Sequence, residues 1–149
     1  MTVSLDSFRE MASSENGLVV VSMLRGDGSI VASVVNAGVM PSPAKNGDSD
    51  VVAFVARGIR KLEHLRANPN LTVVARNGWQ WAAVEGTATV IGPDDPHVGV
   101  DDEVLRRLLR EVFTAAGGTH DNWDEYDRTM RDERSAAVFV TPTRSYPAS

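Results

Sequence analysis

The sequence contains no cysteine in its 149 residues, which excludes disulfide bridges, thiolate metal sites and cysteine nucleophiles. Basic residues are also in the minority, with 15 Lys and Arg against 20 Asp and Glu and a formal net charge of -5. This charge opposes attraction to phosphate backbones, so we expect no nucleic-acid partner. No apolar run approaches the roughly 20 residues of a membrane span, and the acidic, polar N-terminus lacks the pattern of a signal peptide. We therefore expect a soluble, cytoplasmic protein.

Several motifs of catalysis are missing as well. The three histidines, His64, His97 and His120, are far apart in sequence and lack the spacing of a metal motif. There is no Gly-x-Ser-x-Gly nucleophile elbow, and the glycines at 26 and 28 lie in a predicted hairpin turn rather than a dinucleotide-binding loop. If the chain is an enzyme, we expect a bound cofactor to supply the difficult chemistry.

The length is that of one domain, which we assign to residues 1–149. Apolar periodicity and turn residues predict about six mainly antiparallel strands and two to four helices, an α+β fold built round a barrel. The predicted strands are 18–24, 29–35, 51–56, 71–76, 79–91 and 136–140, and the predicted helices are 4–13, 59–67, one opening at Asp101-Asp102 and one around 123–130. Ser4 or Asp6 is the expected cap of the first helix, and Asn77-Gly78 is the expected type I′ turn. A polar loop is expected over 41–50.

Four basic residues fall within ten positions of this otherwise acidic chain: Arg57, Arg60, Lys61 and Arg66. Gly58 allows a bend between strand and helix, and the start of the helix offers free N–H groups and a positive dipole end. The cluster therefore suits a phosphate. The alternative is a set of solvated charges, with Glu63 and Arg66 forming a weak surface pair.

Trp79 and Trp81 are two residues apart on a predicted strand and should share one face. The small residues Ala82 and Ala83 beside them leave room for a flat ring. Two aromatics on a strand also commonly fill a core or a subunit interface, and this alternative stays open.

Three segments resemble one known family. They are residues 60–69 (RKLEHLRANP), 78–88 (GWQWAAVEGTA) and 120–126 (HDNWDEY). The chain resembles the flavin/deazaflavin oxidoreductase family, and especially its branch that uses coenzyme F-420. Members of this family have the FMN-binding split barrel that is also found in pyridoxamine 5'-phosphate oxidase. This resemblance covers nearly the whole chain. It implies a homodimeric split barrel with the cofactor in a groove between the subunits.

The resemblance also assigns roles to residues. Lys61 matches a basic position that holds the cofactor phosphate, whereas Ile59 replaces an arginine of the usual pattern and Arg57 and Arg60 flank it. The segment Ser33, Val34 and Val35 should lie along the ring system, and Trp79 should reach the other end of the groove, from the partner subunit. In this family hydride passes between ring and substrate, so no catalytic side chain is expected.

Three functions follow as hypotheses. The first is a reductase that uses reduced coenzyme F-420 to pass hydride to an unsaturated small molecule. The second is an FMN-dependent oxidase or reductase with the same barrel. The third is a non-catalytic protein that binds a cofactor or a hydrophobic ligand.

Overall fold

The computed structural model describes residues 3–43, 49–57 and 59–147, with Ile59 described by its backbone only. Within these residues the chain forms six strands and four helices. In chain order they are α1 (Asp6–Ser14), β1 (Leu18–Leu24), β2 (Ile30–Pro41), β3 (Asp50–Ala56), α2 (Ile59–Ala67), β4 (Asn70–Asn77), β5 (Gln80–Ile91), α3 (Asp102–Ala115), α4 (Trp123–Asp132) and β6 (Ala136–Tyr146).

The six strands form a closed antiparallel barrel in the order β1-β2-β3-β6-β5-β4, with β4 pairing back to β1. Alternate residues such as Val21, Phe54 and Val73 are fully buried inside it. Apolar residues of α1 and α2, including Phe8 and Leu65, belong to the same buried cluster. The predicted α+β barrel is therefore confirmed.

A second core joins α3 and α4 to the outer face of β3 and β6. It contains Val51, Leu109, Val112, Met130 and Phe139, each at most 5% exposed. The C-terminal end of α3 packs so closely on β2 that a Cβ at Gly38 would clash with the Ala115 carbonyl oxygen. This contact fixes the end of α3 beside the second half of β2.

Two of the described helices begin at a side-chain cap. Asp101 Oδ1 accepts a hydrogen bond from the Val104 N–H at 2.8 Å and begins α3, while Asn122 Oδ1 accepts from the Glu125 N–H at 3.1 Å and begins α4. The predicted cap of the first helix was wrong, because Leu5 occupies the N-cap position without a side-chain bond. None of the described helices is long and apolar enough to span a membrane.

Strand ends differ more from the prediction. β2 continues to Pro41, beyond its predicted end at residue 35. Of the predicted loop over 41–50, residues 44–48 lie outside the described residues. The β4–β5 turn is centred on Gly78 and Trp79 rather than Asn77-Gly78: Asn77 pairs with Gln80, and Gly78 has a φ of 62°. Glycine at the first central position is typical of a type II′ turn.

β6 also passes through Pro142 instead of ending before it. Pro142 pairs with Gly86 at a register shift between β5 and β6. A strand tolerates proline at such a bulge because the residue there need not donate a ladder hydrogen bond.

Candidate functional site

A groove of about 340 Å³ lies where β2, the start of α2 and the end of α3 meet. We call it the Lys61 groove. Its lining residues are Val34, Val35, Asn36, Val55, Arg57, Lys61, Val112, Phe113 and Ala116. The fold thus brings together two basic residues and two β2 residues that the sequence analysis selected.

Lys61 is the most unusual of these side chains. It is half-buried in the first turn of α2, and burial lowers the pKa of its ammonium group. It forms no ion pair with any residue that the structure describes. A partly desolvated cation without a counter-charge favours the binding of an anion, and the positive end of the helix dipole acts in the same direction.

Arg57 is the second cation of the groove and directly follows β3. Its side chain is 58% exposed, and its Nε lies 3.8 Å from Glu133 Oε2 at the end of α4. An exposed pair at this distance is weak, so the guanidinium can exchange this carboxylate for an anionic ligand. Lys61 and Arg57 together make a cationic end of the groove.

The other two basic residues of the cluster lie elsewhere. Arg60 is exposed and is not among the residues that line the groove. Arg66 binds Asp95, with its Nε donating to Oδ2 at 2.8 Å, rather than pairing with Glu63. Part of the cluster therefore has a structural role, because Arg66 ties α2 to the loop that follows β5. The predicted bend at Gly58 and the side chain of Ile59 lie outside the described residues.

The β2 segment contributes unequally to the groove. Val34 and Val35 line it, and Val34 is 63% exposed on the outer face of the barrel. Ser33 does not line it; its Oγ is buried and has no hydrogen-bond partner among the described atoms. Asn36 lines the groove instead, with its Nδ2 donating to the Asn16 carbonyl oxygen at 3.0 Å. Sequence reasoning missed Asn36 because its neighbours formed an apolar run.

The two predicted ring-binding tryptophans do not share a strand face. Trp79 lies in the β4–β5 turn and is 99% exposed, whereas Trp81 lies on β5 and packs edge-on against Tyr146 with 6.1 Å between ring centroids. That part of the prediction was wrong because the turn starts one residue later than expected. Neither residue lines the Lys61 groove.

The second wall of the groove comes from α3, through Val112, Phe113 and Ala116. Phe113 is supported by Tyr126, whose ring centroid is 5.0 Å away, and by an edge-on contact with Trp123. The Tyr126 hydroxyl donates to the Leu109 carbonyl oxygen at 2.9 Å, and burial raises its pKa to about 12. The sequence predicts a helix here but gives no signal that Val112 and Phe113 line a groove.

The chemistry that this arrangement offers is binding rather than proton transfer. One end is cationic and the walls are apolar, while the residues that line it include no carboxylate and no histidine. Such a groove fits a molecule with an anionic group attached to an apolar body. The described residues also contain no cluster of three or more potential metal ligands.

An exposed apolar surface adjoins the groove on the outer face of β1, β2 and β4. Val20 pairs directly with Val34 on one side and with Val74 on the other. Leu18 is 48% exposed, Val20 39% and Val34 63%. We call Leu18, Val20, Val34 and Val74 the outer patch. Val34 belongs to both the outer patch and the groove, so the two surfaces are continuous.

Solved structures with the same overall fold cover most of the chain, although no protein-family model matches it. An F420 reductase matches with a TM-score of 0.60 at 13% identity, over 88% of this chain and 90% of its own. A pyridoxamine 5'-phosphate oxidase-related, FMN-binding protein from Nostoc punctiforme matches with a TM-score of 0.62 at 10% identity, over 97% of this chain and 84% of its own.

A NimC/NimA family protein from Clostridium acetobutylicum has a TM-score of 0.56 at 14% identity, over 94% of this chain and 84% of its own. Identities this low show the fold alone. The chain therefore has the α+β split-barrel fold of pyridoxamine 5'-phosphate oxidase-like, FMN-binding proteins, a fold that an F420 reductase shares.

Proposed function

We propose that the Lys61 groove holds the phosphate of a flavin-type cofactor, preferably the deazaflavin coenzyme F-420, and that the protein is a reductase of an unsaturated small molecule. The observation that carries this proposal is Lys61, a half-buried cation whose pKa is lowered by burial and which has no counter-charge among the described residues. The fold that the chain shares with an F420 reductase and an FMN-binding protein supports the choice of cofactor class.

The groove fits such a cofactor by its distribution of charge. Lys61 and Arg57 would hold the phosphate, and the exposed Arg60 would add a longer-range attraction from the same helix turn. Val34, Val35 and Phe113 would pack along the apolar part of the molecule. The predicted contact at Ser33 would have to come from its backbone, because its side chain shares the inward face of β2 with Val31 and Val35.

A reduced deazaflavin or flavin supplies the hydride when it is bound. The side chains of the groove bind it, orient it and exclude water from its apolar part. No acid or base is assigned, because the described lining residues include no carboxylate and no histidine and Lys61 is proposed to hold the phosphate. Selectivity for the small-molecule substrate would then depend on shape and on the surface that covers the groove.

A second copy of the chain is our proposed cover. The outer patch is apolar and continuous with the groove through Val34, and an apolar strand face of this kind is typical of a subunit interface. A homodimer built on it would place part of the partner over the groove. Trp79, which is fully exposed at a turn, is the proposed contribution from the partner subunit.

Cofactor titration tests the proposal. Purified protein would be examined for a bound flavin by its visible absorbance and then titrated separately with coenzyme F-420 and FMN. Colourless protein that saturates with coenzyme F-420 and binds FMN more weakly is the expected result. Retained yellow flavin with no affinity for the deazaflavin would favour the FMN-dependent enzyme instead.

Turnover distinguishes a reductase from a binding protein. The loaded protein would be mixed with a panel of conjugated carbonyl and nitroaromatic compounds while the oxidation of reduced coenzyme F-420 is followed. We expect oxidation that depends on both protein and compound. Tight cofactor binding with no oxidation across the panel would favour a non-catalytic carrier.

A further inference from the structure

A second groove lies between α3 and α4, nearer the N-terminal end of α3 than the Lys61 groove. Its volume is about 470 Å³, and it shares no lining residue with the Lys61 groove. We call it the α3–α4 groove. Its size falls within the range of small-molecule sites, about 300 to 1,000 Å³.

Most of the floor of this groove is apolar. Leu109 and Met130 are 5% and 2% exposed, and Leu105 is half-buried above them. Ser135 also lines the groove and is 1% exposed. Its Oγ has no hydrogen-bond partner within the described part of the chain, although its backbone N–H donates to the Met130 carbonyl oxygen at 2.9 Å. An unpaired buried hydroxyl is destabilising and needs an explanation, such as a ligand that pairs with it.

Two of the three arginines at the rim are already engaged. Arg106 contacts Asp127 Oδ2 at 3.2 Å and also binds Glu103. The Arg134 Nε donates to Asp94 Oδ2 at 3.0 Å. These pairs neutralise most of the rim charge.

Arg131 is different, because it is exposed in the last turn of α4 and its side chain has no ion pair or hydrogen bond with the described residues. The remaining carboxylate of the rim, Asp102, lies in the first turn of α3, where the helix dipole stabilises a negative charge. The groove therefore combines an apolar floor, an unpaired hydroxyl and an unpaired guanidinium.

We propose that the α3–α4 groove binds a small carboxylate with an apolar body. The carboxylate would accept a hydrogen bond from the guanidinium of Arg131 and, once the enclosed Ser135 side chain changes its χ1 rotamer, a second one from its hydroxyl. The apolar body would cover Leu105, Leu109 and Met130. This site is separate from the Lys61 groove and does not depend on the function proposed for it.

Phenylacetate is a suitable probe, because it has one ring and one carboxylate. It would be titrated into the full chain while backbone amide chemical shifts are followed by NMR. Saturable shifts in α3, α4 and residue 135, at about millimolar probe or below, are expected. Shifts confined to the outer patch or the Lys61 groove, or no saturable shifts, would overturn the proposal.

Variants separate the two polar contacts from packing. Arg131→Gln should weaken phenylacetate about tenfold, since a charge-assisted bond is lost. Arg128→Gln removes the same charge from the same helix outside the groove and should leave binding unchanged. Phenylacetamide, the uncharged analogue, should bind both arginine variants equally. Equal phenylacetate affinity in Arg131→Gln and the natural protein would contradict the assignment.

Ser135→Ala should change stability and phenylacetate binding in different directions. Removal of an unpaired buried hydroxyl should leave the Tm unchanged or raise it, whereas phenylacetate binding should weaken about fivefold. A lower Tm with unchanged affinity would show that the hydroxyl is structural and would overturn its proposed role.

Discussion

Replacement of Lys61 by alanine should weaken cofactor binding without harming the fold. Lys61 is half-buried, and burial lowers the pKa of its ammonium group in the free protein. It makes no ion pair with the described residues, so its removal leaves no carboxylate without a partner. The substitution therefore removes a charge that the folded chain itself does not compensate.

The magnitude follows from the bond that Lys61 is proposed to make. A charge-assisted hydrogen bond to phosphate contributes about 1.5 to 3 kcal/mol, which corresponds to a roughly 10- to 150-fold higher Kd for Lys61→Ala. Arg60→Ala should have a smaller effect, since that side chain is exposed outside the groove. Arg128→Ala, on α4 and outside the groove, is the charge control and should bind normally.

The assay is a coenzyme F-420 titration across pH, combined with thermal unfolding. Because burial lowers the pKa of Lys61 below its ordinary value of 10.5, the folded chain binds this proton less tightly than the unfolded chain. The contribution of Lys61 to the free energy of unfolding should thus rise with pH between the folded pKa and 10.5, while affinity for phosphate falls. Lys61→Met should lack both the rise in the free energy of unfolding and the fall in phosphate affinity over this pH range. An unchanged Kd in Lys61→Ala would refute the reasoning.

Three further predictions concern assembly and stability. Val20→Asp places a charge in the middle of the outer patch and should convert the proposed dimer to a monomer in sedimentation or light scattering. Gly38→Ala should lower the free energy of unfolding by roughly 1–3 kcal/mol in denaturant titration, because the new Cβ clashes with the Ala115 carbonyl. Asp127→Asn should make the free energy of unfolding depend less on pH in acid. The hydrogen bond from Arg110 lowers the pKa of Asp127 in the folded protein, so its stabilising contribution is present above the ordinary pKa of 3.8 and is lost as pH falls through the pKa of the folded state.

Matched controls are available for all three. Val98→Asp changes an apolar residue that is 96% exposed and lies outside the outer patch, so the assembly should not change. Gly26→Ala meets no atom within 4 Å and should be tolerated. Asp132→Asn removes an exposed carboxylate at the end of α4 and should leave the acid transition as it is. Equal behaviour of a variant and its control would contradict the corresponding prediction.

The barrel was predictable from sequence because strand and helix periodicities are strong local signals. β1 (Leu18–Leu24) and α2 (Ile59–Ala67) match their predicted bounds. The errors fall where pairing across strands decides the outcome. Pro142 is accommodated by a bulge opposite Gly86, and the β4–β5 turn is set by the pairing of Asn77 with Gln80. Neither feature can be inferred from local residue preferences, because both depend on pairing with another strand.

The candidate site was only partly predictable for a similar reason. Charge density along the chain pointed to Arg57 and Lys61, which line the groove, but also to Arg66, which binds Asp95. Sequence distance does not show which direction a side chain takes from a short helix. The wall formed by Phe113 depends on the docking of α3 against β2, a contact between residues far apart in the chain.

A crystal structure of the protein with coenzyme F-420 tests the central claim most directly. We predict that the cofactor phosphate lies within hydrogen-bond distance of Lys61 Nζ, with Arg57 turned from Glu133 towards it and the apolar part of the cofactor between Val34 and Phe113. A cofactor bound elsewhere, or one whose phosphate points away from Lys61, would contradict the account.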